Sequence, residues 1–286
     1  MFYQIENNYL KVKFSSQGAE IVSIQYKNQE LIWQALPVWK RHAPVLFPII
    51  GKLKNDSYIY NSKIYSLPQH GFARDKEWIN TFHSENLCEF ELTDDEQTFQ
   101  NYPFHFSLII KYQLIQSSLK IHFHIFNPHH SVLPFSIGFH PAFNTFGNLN
   151  NCFIQFIPDK TFLYKTILKN GLLSNQKEKL LLENSTLYLN EDLFSNDAIV
   201  LENPDISAMI LSNPEWNYSI KISPNGCKNW GIWTKCKDFI CIEPWMGIAD
   251  SESTSGNLLK KKDIILLLPY QHFDWYVDID VFEKQI

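Results

Sequence analysis

Ser118-Leu119-Lys120-Ile121-His122-Phe123-His124-Ile125-Phe126 alternates without a break, with Leu119, Ile121, Phe123 and Ile125 on one side and Lys120, His122, His124 and Phe126 on the other. Period two is the repeat of an extended chain, whose successive side chains point to opposite faces. Only a strand fits. Phe106 to Leu114 precedes it across the Ile115-Gln116-Ser117 corner, so the two read as an antiparallel hairpin. Toward the N-terminus, Leu10, Val12 and Phe14 share a face, and Gly18 marks a turn before Ile21, Ile24 and Tyr26.

Short strands recur downstream at Phe153 to Phe156, Ala198 to Leu201, Ala208 to Leu211, Tyr218 to Ile222, Asn229 to Thr234 and Ile240 to Glu243. Asp263 to Leu268, closed by Pro269, and Trp275 to Val281 end the series. Helical periodicity is almost absent, apart from a turn near Asn190 to Phe194. The polar stretch Tyr164 to Asn184 reads as an insertion or long loop. No fixed-period repeat or Gly/Ser-rich linker divides the chain. The expectation is an all-β protein, a large antiparallel β-sandwich with long loops, in one domain over residues 1–286.

Composition agrees. Aromatics reach 15% with only 10 glycines, which favours sheets over a helical bundle. A net charge of −5 gives no electrostatic reason to approach a polyanion, so nucleic acid is disfavoured as a partner. Met1 to Glu6 lacks a basic region followed by an apolar one, and no stretch approaches the roughly 18 apolar residues of a membrane span. A cytoplasmic protein without membrane attachment is expected. The five cysteines are scattered and without CxxC spacing, as structural thiols are.

Three dense segments depart from the strand pattern: Arg41 to Lys52, Leu67 to Asp75 and Gly138 to Asn144. In each, proline or glycine pins the backbone beside an ionisable or amide side chain. A fourth, Cys241-Ile242-Glu243-Pro244-Trp245-Met246-Gly247, puts a carboxylate at the end of an apolar strand. Desolvation there would raise its proton affinity toward that of a useful base, although a salt-bridged surface glutamate is the plainer alternative. His140, fixed by Pro141, and His70 are candidate acids or ligand contacts, or turn histidines bonded to backbone. Arg41, Arg74 and Asp75 could simply be solvated or paired. His122 and His124 resemble an HxH metal pair, but spacing places no third ligand, so no metal is assigned. Trp230, Trp233 and Trp245 could form a wall for a pyranose or belong to the core.

At these segments the chain resembles the aldose 1-epimerase, or galactose mutarotase, superfamily, and most of all its LacX-like branch. The match is collinear through Gly18-Ala19-Glu20, Leu31-Ile32-Trp33, Pro44 to Pro48, Gln69 to Asp75, Tyr102-Pro103-Phe104, Asn127, Gly138 to Asn144 and Glu243-Pro244-Trp245. The resemblance implies the family's supersandwich, with Glu243 as general base, His140 as general acid and His70 holding the sugar. It implies no metal or organic cofactor and a small-molecule sugar as partner; a monomer or homodimer is expected. Arg41, Lys52, Gln69, Arg74 and Trp245 are the expected substrate contacts.

One departure touches the substrate. Where galactose mutarotases carry Gly-Arg-x-x-Asn-Arg, this chain has Gly51-Lys52-Leu53-Lys54-Asn55-Asp56, so the second arginine's sugar contact does not carry over. Arg41 and Arg74 match arginines of the related hexose-6-phosphate mutarotases, and two guanidinium forks would suit a phosphate. A hexose and a hexose phosphate both stay open. Two other classes compete. One is a carbohydrate-binding or sensing protein without turnover; the other is a glycosidase, which would need Asp75 or Asp250 as a second carboxylate to Glu243.

Overall fold

The computed structural model describes residues 1–284. Many of its strands are those that the alternation dictates. Ser107–Ile115 and Ser118–Phe126 form the expected hairpin in continuous register from Ser107↔Phe126 to Ile115↔Ser118. They lie inside a nine-stranded antiparallel sheet in which the C-terminal strand His272–Glu283 pairs Ser118–Phe126 on one side and Tyr218–Pro224 on the other. The apolar positions of Ser118–Phe126 are buried and the alternate ones half-exposed, as a sheet with one face on the core requires.

A second sheet of eight strands carries Asn229–Trp233 and Phe239–Met246 at its centre. Side chains from both sheets, among them Leu119, Phe123, Val277, Leu201, Trp230 and Ile242, share one apolar cluster. This is the large antiparallel β-sandwich that the alternation predicts. A four-stranded sheet, Phe2–Glu6 to Gln29–Glu30, and two strand pairs complete it. Among the described residues no helix is long and apolar enough to cross a membrane.

Three sequence expectations need correction. The stretch Tyr164 to Asn184 is not a long loop: most of it is a hairpin of Phe162–Lys169 with Leu172–Leu181 at the edge of the eight-stranded sheet. Edge strands are commonly blunted by charge, and Lys165 and Glu178 pair across this one at 3.2 Å. That polarity erased the alternation. The helix Glu96–Asn101 went unread because six residues show too little periodicity, although Asp95 and Thr98 form a reciprocal cap at its start. Finally, Glu243 does not end its strand. Phe239–Met246 runs on through Pro244 and is buried on both faces.

Candidate active site

Parity along Phe239–Met246 separates two environments. Ile240, Ile242 and Met246 enter the sandwich core, while Phe239, Cys241, Glu243 and Trp245 face the other way. On the neighbouring strand, Asn229, Gly231 and Trp233 pair with Trp245, Glu243 and Cys241 and so share that second face. Loops cover it and leave a cavity of about 640 Å³, lined by Trp39, His70, His140, Trp233, Glu243 and Trp245 among others.

The floor of this cavity is set by strand register. Ile137–Phe139 and Ala142–Asn144 both pair with Phe239–Met246, through Gly138↔Trp245 on one side and Ala142↔Cys241 on the other. These pairs share one register, which places His140 directly opposite Glu243. His140 Nε2 lies 3.2 Å from Glu243 Oε1, with both side chains buried. The second carboxylate oxygen accepts a hydrogen bond from Trp245 Nε1 at 3.2 Å. Trp245 lies flat because Gly138, its partner in register, and Gly231, which stands opposite Glu243, carry no Cβ to lift it.

Burial favours the uncharged form of both partners. It raises the Glu243 carboxyl well above its usual range, against the lowering hydrogen bond from Trp245. It also depresses the His140 imidazole, and the Arg74 charge adds to that effect. A carboxylic acid beside a neutral imidazole holds one proton between them, as does a carboxylate beside an imidazolium. The pair therefore has the proton inventory of one acid and one base, separated by a single short transfer.

His70 approaches from the Leu67 to Asp75 segment, its ring edge-on to His140 with centroids 5.6 Å apart. The Gly51 N–H donates to His70 Nδ1 at 3.1 Å, so the imidazole accepts there and carries its proton on Nε2. Burial and the His140 ring hold its pKa well below the usual value, so it is a neutral donor. Gly71 makes this turn possible: at φ +73° a Cβ would stand 2.2 Å from the Phe47 carbonyl oxygen. Trp39 stacks on His140 at 5.2 Å and Trp233 meets it edge-on at 6.1 Å, forming an aromatic wall. Arg74 donates from Nη2 to the Gln69 carbonyl at 2.6 Å, while its buried Nε makes no hydrogen bond and lies 3.9 Å from Asp75 Oδ2. Burial and then Arg41 lower its pKa to about 10, which leaves it charged at neutral pH.

The fold thus gathers Glu243, His140, His70, Gln69, Arg74 and Trp245 around one cavity. Arg41 and Lys52 are not in its lining; Arg41 pairs with Asp75 at 2.8 Å, and Lys52 runs along Gly171 toward Asp56. Of the three tryptophans, Trp233 and Trp245 line the cavity and Trp230 is fully buried in the core. Asp75 and Asp250, the carboxylates a glycosidase would need, are outside the lining; Asp250 is held by Lys261 at 2.8 Å in a buried pair. Sequence reasoning missed Trp39 and Asp197, which line the cavity from loops, Glu191 at the start of the 3-10 turn Glu191–Phe194, and Leu168 and Leu173 of the edge hairpin. No motif marks them. Cys241 brings its sulfur within 4.8 Å of the His140 and Glu243 donor atoms. Burial raises that thiol's pKa well above normal, which opposes the thiolate a metal would require.

A β-sandwich whose outward sheet face holds a buried carboxylate–imidazole pair under an aromatic wall belongs to the galactose mutarotase-like class. A profile of the aldose 1-epimerase family matches residues 1–257, and the chain is a member of that family. It is 30% identical to the plasmid-encoded protein LacX of Lactococcus lactis over 294 aligned residues, covering 94% of this chain and 95% of LacX. A crystal structure of a galactose mutarotase related enzyme from Lactobacillus acidophilus superposes with a TM-score of 0.93 at 34% identity, covering 100% of both chains. A galactose mutarotase-like protein from Lactobacillus casei gives 0.90 at 27% identity, covering 99% of this chain and 100% of that one.

Proposed function

We propose that this protein is an aldose 1-epimerase that interconverts the α and β anomers of a hexose or hexose phosphate. Glu243 is the base, His140 the acid, and His70 a neutral donor that holds the sugar. The observation that carries the reading is the His140–Glu243 pair, opposite in register and 3.2 Å apart on the floor of a sugar-sized cavity.

The chemistry follows from the proton count. Removing the anomeric hydroxyl proton and protonating the ring oxygen breaks the C1–O5 bond and leaves a free aldehyde. The active form is the carboxylate–imidazolium pair, reached by one proton crossing from Glu243 to His140. The sugar's polar edge favours that form because it replaces lost solvation with hydrogen bonds. Rotation about C1–C2 and reclosure with the roles reversed deliver the other anomer and restore the pair. Trp39 and Trp233 offer faces for the apolar C–H side of the ring.

The test is polarimetric decay of a freshly dissolved α-anomer. Wild-type protein should speed the decay, and Glu243→Gln should remove about 10²- to 10⁴-fold of that acceleration while sparing sugar affinity. Binding without acceleration for every hexose and hexose phosphate tried would favour a carbohydrate-binding or sensing protein instead. A phosphorylated sugar is favoured over a free one by a single observation, the charged Arg74 guanidinium in the cavity lining. Arg74→Ala should then reduce turnover of the 6-phosphate preferentially, and an equal loss on both sugars would place no phosphate there.

A further inference from the structure

On the outer face of the nine-stranded sheet, away from the cavity, the C-terminal strand supplies what spacing alone left open. His124 pairs in register with Asp274, and Phe126 with His272. Asp274 Oδ1 accepts from His122 Nε2 at 2.6 Å and from His124 Nδ1 at 2.8 Å. His272 Nδ1 lies 3.0 Å from the far nitrogen of His124. We propose that His122, His124 and Asp274 form a surface binding site for a divalent transition-metal ion of the zinc, nickel and copper class.

Several features support the assignment. One donor atom from each of the three residues falls within 4.8 Å of the others, close enough to share one ion. Two imidazoles and one carboxylate are donors that zinc and its neighbours take, whereas calcium and magnesium prefer oxygen alone. A partner is in place for the outer nitrogen of a ligating histidine: once His124 Nδ1 gives its lone pair to the ion, Nε2–H can donate to His272. The rings change tautomer without a change in net charge. His122 is held flat against Tyr276, with centroids 4.4 Å apart and planes 8° from parallel. The ligands stand on two paired strands, so the ion would clamp the chain's last strand to the hairpin at the sheet's centre.

Zinc titration by calorimetry in a non-coordinating buffer tests this. Wild-type protein should take up one zinc ion, and His122→Gln, His124→Gln or Asp274→Asn should each weaken binding at least tenfold. His272→Asn should weaken it by about tenfold through orientation alone, with the same thermal melting in the absence of metal. His129→Gln, in a separate surface histidine group, should change nothing. Cobalt distinguishes the buried His140–Cys241–Glu243 set, because a thiolate charge-transfer band that survives His122→Gln would place the ion there and overturn the proposal. So would an absence of zinc binding by wild-type protein, or binding unchanged in all three ligand variants. Should a variant fail to fold, nickel added to wild-type protein must still broaden the ring resonances of His122 and His124 first.

Discussion

Gly231→Ala is expected to disable the site without touching an ionisable group. Gly231 stands opposite Glu243 on the adjacent strand, and the Trp245 indole lies across it. A Cβ there would sit 2.3 Å from Cζ2 and 2.5 Å from Cη2 of that ring, where ordinary contact begins near 3.4 Å. The ring must therefore move by about 1.1 Å. It has little freedom to do so, since Gly138 on its other side already lies close, a Cβ there falling 3.0 Å from Cδ1. Displacing the indole pulls Nε1 from Glu243 Oε2, which it now meets at 3.2 Å. Misplacement of about 1 Å near reacting groups lowers rates on the order of 10²-fold, and overpacking of this kind destabilises by about 1–3 kcal/mol.

Polarimetric turnover of whichever hexose the wild type accepts, together with urea unfolding, measures both effects. Trp245→Phe supplies the control because it removes the ring atoms that clash. Adding Gly231→Ala to Trp245→Phe should cost much less activity than adding it to the wild type. An equal loss in both backgrounds, or near-normal activity of the single variant, would refute the chain of reasoning from glycine to indole to carboxylate.

Glu243 should also burden stability in a pH-dependent way. Its folded pKa is raised, so its contribution is fully present below the unfolded value of 4.5 and is lost as pH rises through the folded value. Glutamine does not titrate, so the Tm advantage of Glu243→Gln should grow between pH 5 and pH 9; a constant or shrinking difference in a thermal-shift series would contradict the burial argument. The pair must keep one proton for turnover, so kcat/KM should fall at low pH as His140 gains a second proton and at high pH as Glu243 loses the first. The acid limb should lie below the ordinary histidine value of 6.5, and a limb above it would oppose the assignment. Lys261→Met would strand Asp250, which otherwise holds Lys261 at 2.8 Å and the Lys54 N–H at 3.0 Å. Denaturant unfolding should register a loss of about 3–5 kcal/mol, and a change below 1 kcal/mol would show the buried pair to be dispensable.

How much of this was legible differs from residue to residue. Ser118–Phe126 reads as a strand from its alternation because one face is wet and one dry, and its bounds are those observed. The hairpin after Phe162 hides because Asn175 to Lys179 of its edge strand are exposed on both faces. Trp230 and Trp233 are three residues apart and so on opposite faces of one strand, which sends the first to the core and leaves the second for the cavity. Glu243 and Trp245, two apart, share a face and can bond.

The meeting of His140 with Glu243 was not legible from spacing, because which distant strands pair is a tertiary fact. Proline still marks the place. Pro141 and Pro244 carry no N–H, and each directly follows one member of the His140–Glu243 pair. A proline inside an apolar run ordinarily argues against a central strand. Here the run continues, and the ladder is broken between Gly138↔Trp245 and Ala142↔Cys241 while its register is kept. The Ile242 N–H, donating to the Pro141 carbonyl at 3.3 Å, bridges the gap. An interrupted ladder in kept register leaves two facing side chains near each other with less backbone pairing between them. A buried acid and base can then meet across two strands and remain reachable from the cavity above.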